Sequence, residues 1–474
     1  METKRLLIGG QWIDAERTIP LYSPYSGEQI ALVPAASEDE VNRAIEAAAR
    51  GAKTMAELPA HRRSAILAKA VELLRERREE AAALIALEAA KPIAAARAEV
   101  KRTIDTYQCA AEEAKRIGGE TLAMDAVEEG AGRIAYTMRE PIGIVGAITP
   151  FNFPMNLVAH KVGPAIAAGN AVVLKPASQT PLSAFFIAEL FRQAGLPDGA
   201  LNVVTGSGKT VGDVLVSDLR VAMITFTGSP AVGISIRNRA GLKKVTLELG
   251  SNSAVIVDRG ASLDEIVPRC VGGAFANSGQ VCISLQRIYV HEELYDAFVE
   301  RFAEATDRLR VGDPLDSATD VSALISKGES ERAALWVREA VEAGAKVASG
   351  GMLEDGVLRP TVLLGVDPAQ KVSCQEVFGP VVLIDRIASI DEGIEKVNDS
   401  RFGLQAGIYT NDLQAAMRAA RRLKVGGVMI NDIPTFRVDH MPYGGVKESG
   451  TGREGIKYAL EEMTELKLVV IRTQ

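Results

Sequence analysis

At 474 residues the chain exceeds one compact core, since domains run to roughly 100–200 residues, so two or three domains are expected. Hydrophobic residues at 47% and charged residues at 24% give the balance of a globular protein with room to enclose a ligand. A formal charge of −7 and the lack of a long Lys/Arg run argue against nucleic acid as a partner. No segment reaches the roughly 18 uninterrupted apolar residues of a membrane span, which argues against a membrane partner.

The opening Met1-Glu-Thr-Lys-Arg-Leu-Leu-Ile-Gly-Gly10 holds too short an apolar stretch for a secretory signal, so a cytoplasmic location is expected. The first third reads as helical. Ser37 followed by Glu40 is a capping-box start, with Val41, Ile45 and Ala48 at helical spacing behind it, and further periodic stretches cover about residues 60–90 and 93–116. Gly118–Arg139, rich in Gly, Glu and alternating apolar residues, reads as an antiparallel excursion.

From residue 142 short apolar runs (Ile142–Ile148, Ala171–Leu174, Leu201–Val204, Ala222–Phe226, Val245–Leu247) alternate with helix-length segments. That is the pattern of a parallel sheet with crossover helices, a doubly wound Rossmann-like α/β domain. A second alternation from Ala254 past Gly426–Ile430 predicts a second α/β domain. The β-prone Leu466–Ile471 would leave an apolar edge at the terminus, and together with 118–139 it is expected to pair with another subunit.

Three segments carry candidate chemistry. In Asn277-Ser-Gly-Gln-Val-Cys-Ile283 a cysteine sits in a glycine-containing turn between an expected helix (Ile266–Phe275) and strand (Gln286–His291). Such a turn can present a thiolate and a backbone N–H, although a lone cysteine is more often a small core residue. Glu248 closes an apolar strand beside a glycine turn, where apolar surroundings would raise its pKa towards that of a general base; alone, it would more often be a solvated strand end. Asn152, within Ile148-Thr-Pro-Phe-Asn-Phe-Pro154, can aim its amide at an oxyanion from the carboxyl end of a strand, although most such residues cap turns.

Other motifs carry less. Cys109, Cys270, Cys282 and Cys374 lie far apart without a CxxC pair, so free thiols are expected and no disulfide framework or structural zinc. His61, His160, His291 and His440 lack metal-ligand spacing, and no metal is expected. Gly206-Ser-Gly-Lys-Thr210 ends like a P-loop, but Val203 stands where the first glycine belongs, so it reads as a turn entering a helix.

Together, Thr149–Pro154, Lys175-Pro-Ala-Ser178, Phe226-Thr-Gly-Ser229, Glu248-Leu-Gly250, Gly279-Gln-Val-Cys282, Glu376-Val-Phe-Gly-Pro380 and Pro442–Gly450 resemble the aldehyde dehydrogenase superfamily. The resemblance runs over nearly the whole chain. It implies a cofactor-binding domain from residues 1–117 and 142–250, rejoined by about 447–461, a catalytic domain from 251–446, and a β oligomerisation arm from 118–141 and 462–474. It also implies a homodimer or homotetramer.

The roles it implies are attack by Cys282 on an aldehyde, an oxyanion site at Asn152 and the Cys282 N–H, and water activation by Glu248 to hydrolyse the thioester. NAD or NADP would be held by Thr149, Pro150, Lys175 and Ser178, by Gly228 and Ser229 at a helix start, and by Glu376 and Phe378. Ser178 stands where NAD-selective relatives often carry Glu, so NADP should be accepted.

For the substrate, the segment Ile433–Tyr443 resembles the branch containing lactaldehyde and phosphonoacetaldehyde dehydrogenases. It implies a small polar or anionic aldehyde, carrying a hydroxyl, phosphonate, phosphate or sulfonate, contacted by His160 and by Arg437 or His440. Against this, Arg437 could simply tie its loop through Asp432 or Asp439. Succinic semialdehyde dehydrogenases resemble the chain in Lys175–Thr180 but carry arginines where His160 and Ala276 stand here. That substrate, a broad-range activity, a CoA-acylating enzyme and a catalytically silent protein are the alternatives, the last two opposed by Glu248 and the intact Cys282.

Overall fold

The computed structural model describes residues 3–473; Met1, Glu2 and Gln474, the outermost positions of the expected first domain and arm, lie outside the described residues. The first third is not wholly helical. Thr18–Tyr22 and Gln29–Pro34 form an antiparallel pair, and Leu6–Ile8 enters a large sheet between Gln11–Ile13 and Leu201–Val203. These strands are too short to show a period in sequence, and Leu6–Ile8 forms because the large sheet buries all three of its residues.

The helices follow the sequence more closely. Glu38–Glu57 starts with the expected box: Ser37 N–H donates to Glu40 at 2.7 Å and Glu40 N–H to Ser37 Oγ at 3.3 Å. The expected 60–90 stretch is two helices, Ala60–Glu76 and Arg78–Ala89, parted at Arg77 (φ −108°, ψ 21°). Ile93–Glu113 packs beside them. Among the described residues no helix is long and apolar enough to cross a membrane.

The large sheet has eight strands, with a parallel centre ordered Leu201–Val203, Ala171–Lys175, Ile144–Ile148, Met223–Thr227, Lys244–Glu248. The central strands from Ile144 to Thr227 are wholly buried, as strands covered on both faces must be. The chain builds outwards from Ile144–Ile148 on one side and then returns to add Met223–Thr227 on the other. The loops after these two strands therefore diverge and open a crevice at the switch point.

A second sheet of seven strands runs Lys346–Ser349, Thr361–Leu364, Val381–Ile387, Arg287–His291, Ala254–Val257, Gln405–Tyr409, Gly427–Ile430, parallel except at the first pair. A third joins Thr464–Arg472 to Arg133–Pro141 over nine residue pairs, with Thr121–Leu122 beyond. The two segments expected to seek another subunit therefore pair with each other within one chain. Leu466, Leu468, Val470 and Ile471 remain exposed on the edge strand. Gly208–Gly212 forms a wide helical turn capped by Ser207 Oγ, which accepts Thr210 N–H at 3.0 Å.

Candidate active site

Asn152 lies on the loop leaving Ile144–Ile148 at the switch point and is buried. One Nδ2 hydrogen is donated to the Gln280 carbonyl at 2.9 Å, and Asn277 Nδ2 donates back to the Asn152 carbonyl at 3.2 Å. The far end of the loop is fixed by Glu99, which accepts the N–H of Met155 at 2.9 Å and of Asn156 at 3.1 Å at the start of helix Asn156–Ala168. Lys91, fully buried, pairs with Glu99 and sits 3.7 Å from the Phe153 ring centroid. The loop is thereby held at both ends.

Three consecutive left-handed residues, Asn277 (φ 49°), Ser278 (φ 55°) and Gly279 (φ 73°), turn the chain towards Cys282. Two of them lack glycine's freedom, a strain that persists only where surroundings enforce it. Ser278 Oγ donates to the Ser322 carbonyl at 2.9 Å and accepts the Ser322 N–H at 3.1 Å. A Cβ on Gly279 would fall 2.0 Å from the Gly379 oxygen, so this turn touches the Glu376–Pro380 segment directly.

The Cys282 sulfur lies 2.8 Å from the Tyr443 hydroxyl. Burial pushes the thiol up to about 11, against the Tyr443 hydrogen bond and the Arg437 charge, which favour its ionisation. Glu248 ends its strand with both carboxylate oxygens buried and without a hydrogen-bond partner among the described residues. Burial first, and then the charge of Glu454, raises its pKa well above the ordinary carboxylate range. A half-buried thiol and a nearby unengaged carboxylate of raised basicity can serve as nucleophile and general base.

The crevice also holds groups short of partners that suit a dinucleotide. Lys175 is buried, meets only the Pro176 carbonyl at 3.3 Å, and is lowered by burial to about 8. Thr149 Oγ1 is buried and unpaired, and Ser178 Oγ donates to the Gly206 carbonyl at 3.1 Å. Glu376 accepts the Ser251 N–H at 2.8 Å, and burial raises it to about 7. A Cβ on Gly250 would fall 2.7 Å from its other oxygen. Phe378 (φ 50°) meets Phe151 edge to face at 5.7 Å. Pro150 lies on the same loop as Thr149.

Gly228 stands beside Ser229 at the expected diphosphate approach. Its N–H is spent on the Glu248 carbonyl at 3.0 Å, so it offers no donor to a diphosphate, and its missing Cβ clears the Phe226 ring, 2.5 Å away. Ser229 stands at the start of helix Pro230–Arg239 with no side-chain cap bond, leaving that helix end open to an anion.

Beyond Cys282 lies a dense polar cluster. The Arg437 guanidinium is stacked 3.6 Å from the Tyr443 ring centroid, and its Nη2 donates to Glu454 at 3.1 Å and lies 3.1 Å from His160 Nε2. His160, buried on helix Asn156–Ala168, contacts Asp439 at 2.8 Å; burial, then Arg437, lowers its pKa. Arg102 also grips Asp439 at 2.7 Å. Lys161 Nζ donates to Glu454 at 3.0 Å, Thr227 at 2.8 Å and Thr225 at 3.2 Å. Arg437 Nε is buried without a partner among the described residues.

The structure thus brings His160 and Arg437 together but leaves His440 exposed, outside the cluster. Arg437 does not tie its loop through Asp432 or Asp439. Asp432 pairs with Arg269 and Asp439 with Arg102 and His160, and Arg437 pairs instead with Glu454, which it shares with Lys161. Tyr443, Arg102, Lys161 and Glu454 went unread in sequence. Lys161 alone left a trace, a charge inside the apolar run 157–168; Arg102 lies 337 residues from the carboxylate it grips.

The aldehyde dehydrogenase family model matches residues 12–469, and the chain belongs to that family. It is an NAD(P)-dependent aldehyde dehydrogenase with the family's cofactor-binding Rossmann domain, catalytic α/β domain and β-sheet arm. The chain is 49% identical over 466 residues to a 3-sulfolactaldehyde dehydrogenase of Priestia aryabhattai, covering 98% of this chain and 97% of that one. Among solved structures it is similar to aldehyde dehydrogenase 21 of Physcomitrella patens in complex with the reaction product succinate (TM-score 0.98, 41% identity, 100% and 98% covered). It is also similar to the glyceraldehyde-3-phosphate dehydrogenase GapN of Methanocaldococcus jannaschii complexed with NADP (TM-score 0.93, 42% identity, 96% and 100% covered).

Proposed function

We propose that this enzyme oxidises a small aldehyde bearing a hydroxyl or an anionic group, sulfolactaldehyde-like or lactaldehyde-like, to its carboxylate. The observation that carries this reading is the buried, partnerless Arg437 Nε, one residue removed from the Cys282 sulfur through Tyr443 and backed by His160 and Arg102. A buried N–H donor of a cation left unpaired favours an oxyanion or hydroxyl ligand. The similarity to an enzyme named for 3-sulfolactaldehyde supports the same class.

In this reading the Cys282 sulfur attacks the carbonyl carbon. The second Nδ2 hydrogen of Asn152 and the Cys282 N–H stabilise the oxyanion. When bound, NAD(P)+ would supply the two-electron acceptor and would be held by Thr149, Pro150, Lys175, Ser178, Gly228, Ser229, Glu376 and Phe378. Glu248 then takes a proton from water, which hydrolyses the Cys282 thioester. Because Glu248 is present, water and not CoA receives the acyl group. With a hydroxyl at Ser178 and a lysine at 175, NADP is accepted; NADP turnover near background beside strong NAD turnover would sink this point.

A second reading, succinic semialdehyde, is favoured by the similarity to a structure holding succinate, although Arg102 is spent on Asp439 and Ala276 offers no cation. The test is initial-rate NADPH and NADH formation over lactaldehyde, sulfolactaldehyde, phosphonoacetaldehyde, glyceraldehyde 3-phosphate, succinic semialdehyde and propanal. His160→Ala should raise KM for the preferred anionic aldehyde more than for propanal. Equal effects, or a preference for propanal, would make the enzyme a broad-range one. The domain limits given above, a cytoplasmic location, and a homodimer or homotetramer built through 118–141 and 462–474 belong to the same proposal. A monomeric sedimentation profile at micromolar concentration would remove the last.

A further inference from the structure

The Tyr443 phenol is the one group that holds the Cys282 sulfur by a side-chain hydrogen bond among the described residues. Its own position is fixed from three sides. The backbone of Tyr443 exchanges two hydrogen bonds with Glu454, at 3.0 and 2.7 Å, in an isolated antiparallel bridge. The Arg437 guanidinium lies on the ring at 3.6 Å, drawing electron density from the phenol and strengthening its O–H as a donor. The ring is buried, so the hydroxyl cannot turn to bulk water, and the sulfur is its recorded partner.

Resting on the reading of Cys282 as nucleophile, we propose that Tyr443, polarised by Arg437, is the positioning residue of the thiol. Its O–H donates to the sulfur, favours the thiolate over the thiol, and holds the sulfur in one orientation in the resting enzyme. The one bond broken is the thiol S–H, whose electron pair stays on the sulfur as its proton leaves to solvent; the phenol keeps its proton. The charged and titratable groups facing this pair act in opposite directions. Arg437 favours the thiolate, whereas Glu248 and Glu376 oppose it, as does burial itself. With the phenol removed, only Arg437 would remain on the favourable side, and a hydrogen bond to an ionised group is the stronger kind.

The test is the pH profile of Cys282 alkylation by iodoacetamide in the full-length, cofactor-free enzyme, followed by mass spectrometry of the labelled peptide. Tyr443→Phe should move the profile upwards by about one pH unit and slow labelling near neutral pH about tenfold. Should that variant fail to fold, as judged by thermal unfolding, the S–H stretching band of the wild-type enzyme gives an independent readout. Because the sulfur accepts from Tyr443, the band should lack the downshift of a donating thiol, and it should vanish in Cys282→Ser. A profile unmoved in folded Tyr443→Phe, or a downshifted S–H band showing that the thiol donates instead, overturns the proposal. Retention of aldehyde turnover by Cys282→Ala would instead overturn the reading of the nucleophile, so the two failures are distinct.

Discussion

Glu248 and Glu454 are both buried glutamates, and they face opposite fates. Glu248 ends a strand with no hydrogen-bond partner for either oxygen, and burial raises its pKa well above the ordinary range. Glu454 is held by Lys161 and Arg437; against the cost of burial, Lys161, His160 and Arg437 hold it down at about 2. The difference shows how one residue type becomes a base or a brace. A carboxylate left unpaired keeps its affinity for a proton, whereas one that is paired gives up chemistry for rigidity.

The comparison can be broken at its chemical end first. Cys282→Ala should abolish aldehyde oxidation to below one part in roughly a thousand, read as NADPH formation. Glu248→Gln should leave a burst of one NADPH per site followed by turnover slowed roughly 10²- to 10⁴-fold, with acylated Cys282 visible by mass. A uniform slowing without a burst would remove Glu248 from deacylation. Asn152→Ala should lower kcat by roughly 10²- to 10³-fold with a smaller change in KM.

Stability sharpens the same contrast. The folded pKa of Glu454 lies below its unfolded value of roughly 4.3, so its stabilisation is present above that pH and is lost as pH falls towards about 2. Glu454→Gln leaves Lys161 and Arg437 undercompensated and should cost about 3–5 kcal/mol near neutral pH, seen as a fall in unfolding temperature. The folded pKa of Glu248 lies above its unfolded value, so it costs stability increasingly as pH rises above roughly 4.3. Glu248→Gln should therefore unfold at a higher temperature than the wild type at pH 8 and at nearly the same temperature at pH 4. A stabilisation by Glu454→Gln at pH 8 would collapse the distinction.

The smallest expected effect concerns the crevice. Ser178→Glu, placing a carboxylate at the end of strand Ala171–Lys175, should raise KM for NADP several-fold and leave that for NAD nearly unchanged. Equal changes for both cofactors would mean that position 178 acts on the Gly206 turn it bonds rather than on the ribose.

The sequence by itself determined the parallel strands, because helices on both faces demand continuous apolar runs, and it determined Cys282, Glu248 and Asn152 as candidates, because each sits at a strand end or glycine turn with a local signature. The strands of the first 34 residues escaped it, since three- to six-residue strands carry too little periodicity. The tertiary structure alone decided which charges meet. Arg102 reaches Asp439, Arg437 turns from Asp432 and Asp439 to Glu454, His440 faces outwards, and Gly228 spends its N–H on the sheet. Hydrogen bonds and ion pairs act over a few ångströms of space and carry no imprint along the chain, so a network joining residues hundreds of positions apart becomes visible only once the chain is folded.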